Sequence, residues 1–85
     1  MSDADLRAIV LGVIQSKPSL QNLAGDQDFF DAGVSSLTVI DMQIQIEEKL
    51  SVTVPTSHLM ANPTMDGWVA AYIEANSAAK IAAVG

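Results

Sequence analysis

At 85 residues the chain holds one domain, and a domain of this size buries only about 60% of the surface that its unfolded chain exposes, which leaves little room for an enclosed active site beside the core. With no cysteine there is no disulfide framework, thiolate metal site or cysteine nucleophile, so any thiol chemistry must use a group that the chain does not encode. Ten acidic against four basic residues give a formal charge of −6, a balance that disfavours nucleic acid and anionic membranes and favours partners with basic surfaces. The N-terminus is acidic where a secretory signal would be basic, and no apolar run approaches the roughly 18 residues of a membrane span, so a cytoplasmic protein is expected.

The first element is a helix in "ADLRAIVLGVIQ", where Leu6, Ile9, Val10, Val13 and Ile14 recur at helical spacing. Ser2 or Asp3 is available to cap it, and Asp3 and Asp5 favour its positive end. Pro18 in "SKPS" ends it, because proline cannot continue the hydrogen-bond ladder. A long connection follows, from Lys17 to Ser35, in which Leu20, Leu23, Phe29 and Phe30 are too apolar for a free linker. This loop should lie against the core, with a short helical turn around Asp28 to Asp31.

The second helix is placed at Ser36 to Leu50 and carries two apolar stripes. Leu37, Ile40 and Ile44 form one, and Val39, Met42, Ile46 and Leu50 the other; two stripes suggest that one packs inward while part of the other stays available. "SVTVPT" alternates like a strand, but Pro55 and the lack of a partner strand favour an extended connector. "SHLMAN" offers a short third helix. In "TMDGWVAAYIEA" Thr64 is the cap and Met65, Trp68, Val69, Tyr72 and Ile73 the buried face of a last helix, after which "NSAAKIAAVG" either extends that helix or frays. The fold class is therefore all-α: a small four-helix bundle of three main helices and a short third, with a long first loop. A domain over residues 1–76 and a tail over 77–85 are the expected divisions, and the initiating Met1 favours a discrete chain.

Two adjacent serines open the second helix, and their positions give them different jobs. Gly33 allows a positive φ, Ser35 stands where an N-cap stands, and Ser36 falls on the first turn. Ser35 is suited to accept a hydrogen bond from a first-turn N–H, worth about 1 kcal/mol. Ser36 is free to point outward, where a phosphate would meet unpaired N–H groups at the positive end of the helix dipole. Many capped helices begin with two serines and carry nothing, so the pattern alone is weak.

The whole stretch "DFFDAGVSSLTVIDMQIQIEEKLSVTVP" resembles the central segment of acyl and peptidyl carrier proteins, whose signature is a glycine, a variable residue, then Ser and Leu at the start of the second helix. The likeness runs from Leu6 to Glu74 and includes Val54 and Pro55 after the helix. It implies that Ser36 is esterified with 4′-phosphopantetheine from coenzyme A, that the arm supplies the missing sulfur, and that acyl or aminoacyl groups ride on it as thioesters. It also implies no catalysis by the chain itself. A docking face of Leu37, Val39, Asp41, Met42, Glu47 and Glu48 would steer the chain onto basic faces of partner enzymes in weak, salt-sensitive encounters. Those partners would be a phosphopantetheinyl transferase, an acyl- or aminoacyl-loading enzyme and downstream synthase, condensing or tailoring enzymes; the carrier itself would be a monomer. Ser35 departs from the family, which usually has Asp or His there, and "DFF" is more like carriers of nonribosomal peptide and hybrid polyketide pathways than those of fatty-acid synthesis.

Two readings compete with the carrier. A small acidic adaptor would use the second helix for docking and never take the cofactor; a small hydrolase using Ser36 lacks a visible base. His58, the single histidine, reads as a surface residue. Trp68 and Tyr72, four apart, read as core, with the Tyr72 hydroxyl reaching solvent or a loop carbonyl. Asp26, Asp28 and Asp31 lack the glycine and terminal glutamate of a calcium loop, so no metal site is expected beyond incidental weak binding.

Overall fold

The computed structural model describes residues 2–84, with side chains through residue 78. Four helices are present, α1 Asp3–Gln15, α2 Ser36–Leu50, α3 Thr56–Ala61 and α4 Met65–Val84, with no strand among the described residues. The all-α bundle is as expected. α1 packs against both α2 and α4, and the short α3 packs against α4.

The starts of α1 and α4 follow from a side-chain oxygen in the right place, whereas α3 begins after Pro55 with no side-chain cap. Ser2 caps α1 by accepting from the Asp5 N–H at 3.1 Å, and Thr64 caps α4 by accepting from the Gly67 N–H at 2.9 Å. Leu6, Val10, Val13 and Ile14 form the buried face of α1, and Met65, Trp68, Val69 and Tyr72 that of α4, while Ile73 is half-buried. Past residue 77 the backbone of α4 continues to Val84.

The long connection lies against the core through Leu20, Phe29 and, in part, Leu23, but Phe30, expected with them, is 38% exposed. Pro18–Leu20 forms a single 3-10 turn that the sequence pattern did not single out, and it buries Leu20 completely. Further on, Asp28 Oδ1 accepts from the N–H groups of Phe30 (2.7 Å) and Asp31 (3.2 Å), which makes the expected turn. That turn drives Phe29 inward. Its ring meets Trp68 edge to face at 5.2 Å and 79°, and its N–H donates to the Pro63 carbonyl at 2.8 Å. The loop crosses α4 closely at Gly25: its carbonyl accepts from the Asp66 N–H at 3.0 Å, and a Cβ there would stand 2.6 Å from an Asp66 carboxylate oxygen and push that exposed side chain aside. Trp68 in turn ties α4 to α3 by donating from its indole N–H to the Leu59 carbonyl at 3.1 Å.

The connector after α2 is extended, not a strand. α2 ends at Ser51 in the left-handed region (φ 55°), and Val52 to Pro55 then run back along the bundle. A polar cluster holds this strap in place. Gln43 donates to the Val54 carbonyl (3.1 Å) and accepts from the Thr56 hydroxyl (3.0 Å), while Glu47 accepts from the Val54 N–H (3.1 Å), the Gln43 amide (3.2 Å) and the Tyr72 hydroxyl (3.0 Å). Tyr72 thus reaches a carboxylate on α2, not the solvent or loop carbonyl expected of it. Its phenol is pushed strongly up from the ordinary value, first by burial and then by the hydrogen bond and negative charge of Glu47.

Candidate functional site at the start of α2

The turn before α2 is shaped by Gly33, whose φ of +87° lies where a side chain is strained. Val34 is buried behind it and bonds back to the Phe29 carbonyl at 3.0 Å, so the chain enters α2 from a fixed anchor. Ser35 then takes the cap: its Oγ accepts from the Thr38 N–H at 3.2 Å and lies 3.1 Å from the Thr38 hydroxyl. Ser36 is exposed on the first turn, and its hydroxyl makes no hydrogen bond among the described residues. The two serines divide as their positions predict.

The surroundings of Ser36 fit a phosphoester. The first turn of α2 carries no acidic residue, so nothing negative on that turn opposes a phosphate beside the helix dipole. Ser36 and the adjacent Leu37, which is 81% exposed, leave steric room for an arm that extends away from the bundle. Among the described residues no base bonds to Ser36: the single histidine, His58, is exposed on α3 and has no hydrogen bond to it. No group of three or more metal-ligating side chains comes together among the described residues, Asp26, Asp28 and Asp31 included.

The docking face expected on α2 needs correction at Val39 and Met42, whereas Asp41 stays on the surface. Val39 and Met42 are completely buried and belong to the inner stripe with Ile46 and Leu50, so neither is available to a partner. Exposed apolar surface comes instead from Leu37, Ile40 (40%) and Ile44 (52%). A countable signal separates the stripes: the inner one keeps its apolar spacing to the end of the helix, whereas the outer one runs into Glu48. Glu47 is spent on the strap and Tyr72. Asp41 is paired, at 2.9 Å to the Lys17 ammonium and 2.8 Å to the Gln45 amide. Of the expected face, only Leu37 and Glu48 are exposed and unbonded.

Sequence reasoning missed Gln43 as a structural residue, although a glutamine on the apolar side of a helix already requires a polar partner. It also left open whether a groove lies beside the arm. An open groove of about 420 Å³ runs between α1 and α2, lined by Ile9, Gly12, Val13, Ser16, Gln45 and Lys49, and a smaller one of about 200 Å³ lies between His58 and Glu74. Ser36 lines neither.

A family model described as "Phosphopantetheine attachment site" matches residues 4–72. Comparison with curated proteins finds no match, and comparison with solved structures finds none either. No helix among the described residues is long and apolar enough to cross a membrane.

Proposed function

The chain belongs to the phosphopantetheine-attachment family, non-catalytic carriers whose prosthetic group is 4′-phosphopantetheine, and from that premise we propose that Ser36 bears the arm. The observation that carries this reading is the division of labour between neighbours: the Ser35 hydroxyl is consumed as the cap, and the Ser36 hydroxyl is exposed and unbonded. In attachment, Ser36 Oγ bonds to the phosphorus of the phosphopantetheinyl group and gives up its proton, the pyrophosphate bond of coenzyme A breaks, and the adenosine bisphosphate leaves. The transferase supplies the base, since the chain places none there. When bound, the arm supplies the thiol on which acyl or aminoacyl groups are held.

The protein's own part is then presentation. A rigid anchor at Phe29 and Val34, a glycine turn and a capped helix hold Ser36 at an edge of the bundle, from which the arm swings. We take the cargo route to be of the polyketide or nonribosomal peptide type and the setting to be the cytoplasm, with a loading enzyme and condensing or tailoring enzymes as partners of a monomeric carrier; the "DFF" run before the turn supports the pathway class.

The test is incubation with coenzyme A and a broad-specificity phosphopantetheinyl transferase, followed by intact mass and fragmentation. One phosphopantetheinyl group on Ser36 is expected. A folded protein that gains none, beside a control carrier that does, or one that gains it elsewhere, overturns the assignment.

A further inference from the structure

Gln43 and Glu47 stand seven and eleven residues past Ser36, about two and three turns down the same face of α2, and that face meets the strap and the start of α3. A group that folded back from Ser36 into the bundle would have to part α2 from the strap along this line. The seam there is polar. Gln43, only 8% exposed, donates to the Val54 carbonyl and accepts from the Thr56 hydroxyl, while a single Glu47 oxygen accepts from the Gln43 amide, the Val54 N–H and the hydroxyl of the fully buried Tyr72. Five hydrogen bonds thus close α2, the strap, α3 and α4 on one another, and the two grooves described above include none of Gln43, Glu47, Thr56 and Tyr72.

We propose that the Gln43, Glu47, Thr56 and Tyr72 cluster is the specificity element of this carrier, one that keeps the cargo outside the bundle and suits the chain to short or polar acyl and aminoacyl groups, not to long aliphatic ones. The proposal rests on the carrier reading above. Its reason is a balance of burial: parting the seam strands donors and acceptors away from water, and each one left unpaired costs more than a single buried methylene returns. A short or polar cargo returns less still, so it has nothing to gain by entering. No hydrogen bond links any of the four side chains to Ser36, so attachment of the arm does not depend on them. What depends on them is where the loaded group rests.

The test loads Ser36 from acetyl, butyryl and octanoyl coenzyme A and reads the rate of thioester cleavage by hydroxylamine, each relative to the same acyl pantetheine free in solution, together with the melting temperature. A group held inside is cleaved more slowly by the fraction of time it is enclosed, and it raises the melting temperature because it binds only the folded state. On the wild type the three relative rates should agree within about twofold and the melting temperatures should coincide. Gln43→Met puts an unbranched apolar side chain of similar length in the seam, and with it octanoyl should be cleaved at least about threefold more slowly than acetyl and should melt higher. Circular dichroism checks the fold; should Gln43→Met fail to fold, Tyr72→Phe opens the same seam with its ring kept and should shift both readings the same way. Octanoyl enclosed on the wild type overturns the proposal, and so does octanoyl left equally exposed on the folded variant. Both results leave Ser36 as the attachment point, whereas failure of wild-type loading beside a working control overturns the carrier assignment itself, which separates the two failures.

Discussion

At the first turn of α2 the Ser36 hydroxyl and the Leu37 side chain meet no hydrogen-bonding or packing demand from the bundle, whereas on its later turns Gln43 and one carboxylate oxygen of Glu47 are bonded to each other, to the strap, to Thr56 and to Tyr72. One helix thus has a presenting end and a holding end. The difference teaches that reactive and structural roles are separated along α2 by about two turns, so variants at one end should leave the other's function alone. The largest effect falls at the presenting end: Ser36→Ala abolishes loading outright with an unchanged melting curve. Ser35→Ala does the reverse, with loading retained at Ser36 and stability lowered by about 1 kcal/mol through the missing cap, read by urea unfolding. Loading that moves to Ser35 in the Ser36→Ala protein would break the comparison.

The inner and outer stripes give the next contrast. Met42→Ala removes a fully buried side chain and should cost about 2–5 kcal/mol, enough to threaten a domain of this size, while Ile40→Ala on the outer stripe should fall within about 0.5 kcal/mol. Denaturant midpoints measured side by side decide it. Comparable losses at both positions would mean that the outer stripe is covered in solution.

The same pair of stripes shows how far the sequence could be read. The helix limits, the cap at Thr64, the turn at Asp28 and the bounds of α2 follow from local signals: hydroxyl residues before periodic runs, Pro18 and Pro63 as stops, and an Asp that bonds its own turn; which of Phe29 and Phe30 turns inward does not. Which stripe of α2 faces the core is legible only by counting how long each persists, a signal that places Val39 and Met42 inside although the resemblance puts them on the docking face. The fates of Asp41 and Glu47 were not legible at all. Beyond near neighbours in the sequence, Asp41 meets Lys17, 24 residues away on the loop after α1, and Glu47 meets Tyr72, 25 residues away on α4, and only the packed bundle brings these within hydrogen-bond reach.

The holding end makes a prediction that depends on pH. Tyr72 is the chain's single tyrosine, so its phenolate absorbance is read without interference. The folded state keeps the phenol proton to higher pH than the unfolded chain does, so above the ordinary value of about 10 the unfolded state binds fewer protons and stability falls as pH rises. The contribution is fully present below that value and is lost progressively above it, at up to about 1.4 kcal/mol per pH unit. Tyr72→Phe should flatten this limb while leaving Ser36 loading at neutral pH unaltered. A phenol that ionises near its ordinary value in the folded protein would mean that the Glu47 bond does not hold the two helices.

The smallest effect separates surface charge from structure. Lys17→Ala breaks an ion pair whose side chains are 23% and 53% exposed, so solvent screens most of its value and the cost should be a few tenths of a kcal/mol in urea unfolding. Its stability effect is nearly silent, but it leaves the Asp41 carboxylate, still bonded to Gln45, without a cation next to Ile40. Should partner enzymes read charge on this helix, Lys17→Ala would bind a basic cleft more tightly at low salt and lose the gain at high salt. An apolar cleft would instead be met by a newly unpaired charge that must be desolvated, and KM for Ser36 loading should rise modestly, by about twofold to fivefold, at every salt concentration.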